Sequence, residues 1–446
     1  MSIKKQDTVI KLSRKIPNFV LVTASAWISR IVSASIQVFI IRLLTSYLGA
    51  DEYAYFVLLT SLVGWYSLGS FGIGFSLQNF VSELRAKEQE YRVYIASAFV
   101  AATILLLVLV LLVFLIGPTI APLFLKQFNF IDLDGKIRDF VLVGFLAVIF
   151  GITSIVYNLW YSLDKGYLSS IIPAIASLVS FIAVYILTHF SIDNKTFWIL
   201  FVYLLPTACF PTAFFIKTII NSMCQGKLID FLVLKTILKR ALQFGLFGLM
   251  AAAVVQIDYL VMSQNISSSE IILYNVTTKI FSIIAFVYSA VLTALWPEFT
   301  KSVAKNEWTK ISLSIKKIIT IGIIFFVLSG IVLAFLMPYI VKVISPSIDI
   351  FIPVSFIAML TVYHLIRIWT DTYSMALQSM SDLSALWKWT PVQILVNFLL
   401  QYFLSTILGV YGIITGLIIS YIVTLSWILP LRLSHHLKTK QIQRGN

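Results

Sequence analysis

Seven ionisable residues of the 446-residue chain stand inside long apolar runs, where chemistry is expensive to keep unless it is used. Asp258 sits in the middle of AAAVVQIDYLVMSQN, residues 251–265. Arg30, Arg42 and Lys279 are cations in comparable surroundings. The stretch HLIRIWTD places His364, Arg367 and Asp371 at spacings of three and four, on one face of a helix. Each charge at mid-bilayer costs on the order of a few kcal/mol, so such groups face a bundle interior or a watery cavity. A lone carboxylate there can take up a proton or a small cation. A guanidinium or an ammonium can hold an anion, the guanidinium as a fork that fits phosphate. The bland readings stay open beside these. Asp258 can form an ion pair with Lys279, which lies at similar depth on the next helix. Arg367 and Asp371 can neutralise each other as a structural stripe, and Arg42 can reach the interface.

The elements that position these residues follow from composition. Hydrophobic residues make up 59% of the chain and charged ones 12%, with a mean hydropathy of +0.96. A soluble chain of this length has too little interior for that much apolar surface. Apolar runs of about 20 residues recur, the length that a membrane-crossing helix requires. An outer-membrane barrel would alternate apolar and polar positions instead. The fold expected is an all-α polytopic membrane protein with twelve transmembrane helices, over 19–41, 53–77, 95–116, 140–160, 168–189, 196–216, 241–263, 271–296, 318–341, 351–375, 390–408 and 412–431.

The charge of +14 does not call for nucleic acid. If residues 1–18 are cytoplasmic, 24 of the 33 Lys and Arg fall in loops on that side and five in loops on the other, with Arg42 counted in the first span. That asymmetry is the positive-inside rule, and it places both termini in the cytoplasm. The basic N-terminal stretch MSIKKQDTVIKLSRK is expected to be a retained tail, since no small-residue cleavage site follows. The longest cytoplasmic loop, 217–240, is basic and amphipathic and divides the chain into an N-terminal lobe, 1–216, and a C-terminal lobe, 241–446. Six spans in each half give two lobes of equal orientation around a central cavity. Pro206 and Pro211 in the sixth span serve either as a packing kink or as a hinge. Gly64, Gly69, Gly72 and Gly74 near the second span serve close packing.

Cys209, Cys224 and the four histidines form no metal-like group, and no cofactor is expected. There is no phosphate-binding G-x-x-x-x-G-K-[ST] loop and no nucleophile with its base. No catalytic residue is therefore assigned. If Arg30 and Lys279 both face a central cavity, they make it cationic and suit it to an anionic cargo.

Two long segments carry a family resemblance. They are RLLTSYLGADEYAYFVLLTSLVGWYSLGSFGIGFSLQNF and IDYLVMSQNISSSEIILYNVTTKIFSIIAFVYSAVLTALWPEF. Both resemble the O-antigen flippases (Wzx-type) of the multidrug/oligosaccharidyl-lipid/polysaccharide exporter superfamily. The matching elements are Arg42-x-Leu44 with Leu48-Gly49, Glu52-Tyr53, Gly72-Ile73-Gly74, Asp258, Tyr274, Lys279 and Trp296-Pro297. Members often carry an acidic residue before the Gly-x-Gly, where this chain has Ser70-Phe71, so no acidic role is carried over there. The resemblance implies a bacterial inner-membrane protein. It would move an undecaprenyl-diphosphate-linked oligosaccharide from the cytoplasmic to the periplasmic leaflet by rocking between two V-shaped states. Arg30, Lys279 and Arg367 are then the expected substrate-binding residues. Asp258 and Asp371 are the expected sites of coupling to a proton or sodium gradient. Membrane lipid and other polysaccharide-assembly proteins are the expected partners.

Two rival functions remain. A multidrug exporter of the same superfamily would share the fold but export cations, which Arg30 and Lys279 would repel. A multispan polysaccharide polymerase or glycosyltransferase would need a large outer loop, and the longest here is 117–139. The topology has a direct check: reporter fusions at residues 47 and 228 should report opposite sides of the membrane, and the same side for both overturns the assignment.

Overall fold

The structure, a computed structural model, describes residues 18–66, 70–224, 230–344, 351–380 and 382–445. The basic tail up to residue 17, Gly69 and the middle of the expected linker, 225–229, lie outside the described residues. Everything described is helix or short connection, with no strand among the described residues. In lipid a backbone must satisfy its own polar groups, and an apolar chain of this kind does so as helices.

Fourteen helices follow one another. They are α1 (Asn18–Tyr66), α2 (Ile73–Ala86), α3 (Arg92–Phe124), α4 (Leu133–Thr153), α5 (Ile155–Ser162), α6 (Leu168–Leu187) and α7 (Lys195–Cys224), then α8 (Phe231–Asn265), α9 (Ser268–Ala304), α10 (Trp308–Ile344), α11 (Val354–Ser379), α12 (Ser384–Leu408), α13 (Val410–Val423) and α14 (Leu425–Gly445). Nine helical stretches among the described residues are long and apolar enough to cross a membrane, and ten if the bent pair that makes up α8 is one span. The twelve spans expected exceed this for two reasons. The first stretch, within α1, counts once, although Gly49 interrupts it with φ 78° and ψ −176°. α11, which carries His364, Arg367 and Asp371, is not among them. Two other expected spans are each built from a broken pair, α4 with α5 at Ser154 and α13 with α14 at Thr424. Pro206 and Pro211 both lie inside the continuous helix α7.

The chain forms two compact units. The first gathers the described residues up to Leu43 with Leu59–Leu123 and Phe130–Leu249. Within it α4 and α6 pack on α7, and α2 packs on α5. Its core joins Ile73, Leu77 and Val81 of α2 to Phe99 of α3, Leu159 of α5, Phe215 of α7 and Ile237 of α8. Its outer side is apolar as well: Leu107, Leu111 and Leu115 of α3 are exposed, as side chains facing lipid should be.

The second unit holds Leu44–Leu58, Phe124–Asn129 and the chain from Met250 onward. α10 packs on α11, α9 on α11, and α12 along α13. Tyr53 is buried here, its hydroxyl donating to Asn275 Oδ1 at 3.4 Å. In the connection between α11 and α12, Asp382 accepts from Arg432 Nε of α14 at 2.7 Å and from the Ser384 hydroxyl at 2.6 Å. Burial alone would raise the pKa of Asp382, but these bonds outweigh it and hold the carboxyl at about 2.

Within the first unit one close approach depends on glycine. Gly72 begins α2 at φ 76°, and a β-carbon there would overlap the Ala241 carbonyl and the Gly245 nitrogen of α8. A β-carbon on Gly245 would in turn overlap the backbone of Phe71. Gly49 has a similar φ but open space around it. Gly72→Ala should therefore lower the melting midpoint of the detergent-solubilised protein far more than Gly49→Ala. The latter adds only the backbone strain of a positive φ with extended ψ, on the order of 1–3 kcal/mol. Equal effects would show that strain, and not the contact with α8, governs the site.

Candidate functional site

α8, α9, α10 and α11 enclose a cavity of about 580 Å³ inside the second unit. That volume lies within the range of roughly 300–1,000 Å³ common to small-ligand sites. Asp258, Arg367 and Asp371 line it together with His364, so three of the five expected site residues meet.

Asp258 comes from the middle of α8 and is 5% exposed. Its carboxylate accepts hydrogen bonds from the Tyr274 hydroxyl of α9 and, at 2.7 Å, from Gln401 Nε2 of α12. Lys279 is not its partner, and no ion pair joins the two among the described residues. The cause is helical geometry. Tyr274 and Thr278 are four residues apart and share the cavity face of α9, whereas Lys279 is turned about 100° from Thr278. Lys279 is half-buried on the same helix, off the cavity lining. Arg30 and Arg42 lie on α1 in the first unit, both exposed.

Behind Asp258 runs a row of polar side chains that the sequence reading did not single out. Gln393, Asn397, Gln401 and Ser405 stand four residues apart on α12, and none is more than 2% exposed. Gln401 Nε2 also donates to Asn397 Oδ1 at 3.0 Å, and the Ser420 hydroxyl of α13 reaches the same oxygen at 3.4 Å. The bonding is incomplete: Asn397 Nδ2 and Gln401 Oε1 are buried without a hydrogen-bond partner. The signal was present in VQILVNFLLQYFLS, as uncharged polar residues at a spacing of four in an apolar helix. A search limited to ionisable groups passes over it.

Arg367 and Asp371 pair, as the bland reading had it, at 3.0 Å between Nη2 and Oδ2. The guanidinium also gives Nε to both carboxylate oxygens and Nη1 to the Tyr363 hydroxyl at 3.1 Å. It lies 5.7 Å from the centre of the Tyr421 ring. His364 is stacked between Phe281 and Phe326, with centroids at 5.2 and 5.1 Å. No group of acidic, His and Cys residues that could hold a metal occurs among the described residues.

What the arrangement can do is limited by its charges. Asp258 is met by neutral donors, so its charge is uncompensated, while Arg367 and Asp371 largely cancel. Such a carboxylate is free to bind a proton or a cation without first breaking an ion pair.

The bonding of Asp258 is open to test. Gln401→Leu removes a donor and strands a carboxylate oxygen, at roughly 1–3 kcal/mol. The melting midpoint of the purified protein should fall. Asp258→Leu in the Gln401→Leu background should recover part of that loss, because the stranded oxygen is gone. An additive double mutant would show that the two side chains do not interact.

No family model matches the chain. A Yersinia pseudotuberculosis protein named as an O-antigen export protein is 34% identical over 418 residues, covering 93% of this chain and 96% of the relative. A Salmonella typhi protein named as an O-antigen transporter is 34% identical over 416 residues, with 93% and 96% covered. Among solved structures, an inward-facing multidrug resistance transporter of the MATE family superposes with a TM-score of 0.70 at 13% identity, covering 92% of this chain and 95% of that one. The lipid II flippase MurJ, in an inward closed conformation, gives 0.69 at 14% identity, covering 93% and 87%. The two structures share the fold with this chain.

Proposed function

The chain belongs to the family of O-antigen transporters, and from that membership we propose that it flips undecaprenyl-diphosphate-linked O-antigen repeat units from the cytoplasmic to the periplasmic leaflet of the bacterial inner membrane. The observation that carries this reading is kinship over nearly the whole length of both chains. The movement is alternating access of two six-helix lobes, 1–216 and 241–446, joined by the linker 217–240. Both termini are cytoplasmic, and no catalytic step is involved.

Arg30 and Lys279 hold the diphosphate of the cargo. Asp258 couples the movement to a proton or sodium gradient, with Asp371 as the second carboxylate of the site. Two features support the coupling role. Among the described residues Asp258 has no cationic partner to release before it binds an ion. The Gln401 oxygen next to it is buried without a hydrogen-bond partner.

One observation favours the rival function. Asp258 and Asp371 outnumber Arg367 in the cavity, a balance that on its own suits a cationic drug. Sequence kinship supports the glycan reading, and drug susceptibility should not change when the gene is deleted.

Complementation of a flippase-deficient strain tests the reading, with membrane levels measured in parallel. The wild type should restore surface polysaccharide. Charge-assisted contacts to a diphosphate are worth roughly 1.5–3 kcal/mol each, so losing one weakens binding on the order of 10- to 100-fold. Arg30→Ala and Lys279→Ala should each reduce display, Arg30→Lys less so, and Arg42→Ala least. Asp258→Asn should insert normally and stall transport. The exchange Asp258→Lys with Lys279→Asp should not restore function, because the two residues do not pair. Full complementation by the Arg30→Ala, Lys279→Ala double variant overturns the cationic binding of the diphosphate.

A further inference from the structure

We infer that the cavity of the second unit receives the sugar rings of the cargo and not its diphosphate. The inference rests on the proposed flippase function and assigns one part of that cargo to one place in the fold.

Charge is the first argument. The formal charges on the cavity wall are Asp258, Asp371 and Arg367. With His364 neutral they sum to −1, and to zero when Asp258 is protonated. In neither state does the wall present a net positive charge. A phosphate approaching Arg367 meets Asp371 already in place at 3.0 Å. At such separations, like charges repel by several kcal/mol at the effective dielectric of a protein surface.

Hydrogen-bond polarity is the second argument. Thr278 and Ser282 place hydroxyls on the lining. The hydroxyls of Thr278 and Ser282 each donate to a carbonyl one turn back along α9, both at 2.7 Å. Their donors are spent and their lone pairs remain. Asp258 and Asp371 can only accept when ionised. The wall therefore offers acceptors beside the donors of Arg367 and Tyr363. A diphosphate brings only acceptors, whereas every sugar hydroxyl brings a donor and can also take up the remaining N–H groups of Arg367.

Shape and surface complete the case. Tyr259 and Phe286 line the same space, and an aromatic ring suits the apolar C–H face of a pyranose. The cavity of about 580 Å³ leaves room for more than one ring. Sites built around hydroxyl partners discriminate strongly against ligands that lack them, so this cavity would read the glycan and leave the common carrier to other residues.

The test uses the full-length protein in detergent and two probes. One is the repeat-unit oligosaccharide freed by mild acid from the host's own lipid-linked pool. The other is undecaprenyl diphosphate without sugar. Binding of each is measured by thermophoresis, with folding checked by melting and gel filtration. Thr278→Val removes a hydroxyl acceptor from the wall, so oligosaccharide affinity should fall by roughly tenfold. Ser282→Trp is the second route: it fills the cavity from an exposed wall position and should abolish oligosaccharide binding. Both variants should bind undecaprenyl diphosphate as the wild type does, and Arg30→Ala should show the opposite pattern. If the two cavity variants weaken undecaprenyl diphosphate and spare the oligosaccharide, the assignment is overturned while the flippase reading stands. The same holds if the wild type binds undecaprenyl diphosphate but not the oligosaccharide. A wild type that binds neither probe overturns the flippase reading and the assignment with it.

Discussion

A carboxylate buried in a membrane-spanning helix without a cation is the constraint around which the second unit is arranged. Asp258 needs donors that carry no charge, and they come from two other helices, Tyr274 from α9 and Gln401 from α12. Gln401 needs support in turn, which Asn397 and Ser420 supply. A single charge thus fixes the mutual rotation of four helices. An apolar residue at position 258 would relieve all of them of that duty. The cost of retaining the charge is evidence that it is used.

The two charged clusters of the cavity solve the same problem in different ways. Arg367 and Asp371 neutralise each other within one turn of α11, and Tyr363 on the same face accepts a further N–H of the guanidinium. Asp258 instead takes hydrogen bonds from two neutral donors. Placed side by side, they give a wall with strong local polarity and little net charge, lined with aromatic rings. That combination is a poor trap for a phosphate and a good one for a ligand of many hydroxyls.

Much of this was legible before any coordinates. Long apolar runs reveal membrane helices because the bilayer leaves the backbone no alternative. Charge in such a run marks a site because it is costly, which is how Asp258, Arg367 and Asp371 were found, and the spacing of four that joins the last two was read correctly. Pairing across helices was not legible. Asp258 and Lys279 are close in depth and opposite in sign, yet helical phase turns Lys279 away from the cavity face. The polar row on α12 stayed hidden because amides and hydroxyls raise no alarm in a reading tuned to ionisable groups. Breaks inside a span were also hard to place: those at Ser154 and Thr424 fall within continuous apolar runs.

The Arg367–Asp371 pair also bears on how the protein is made. A segment carrying three ionisable side chains partitions poorly into lipid when it leaves the translocation channel alone. Both members of this pair lie on α11 itself, one turn apart, so their charges are masked as soon as the helix forms and before any neighbour is present. Asp258 has no such provision. Tyr274 is synthesised shortly after it, but Gln401 follows only after more than a hundred further residues. α11 therefore holds both members of its ion pair, whereas the carboxylate of α8 lacks its Gln401 donor until α12 has been made.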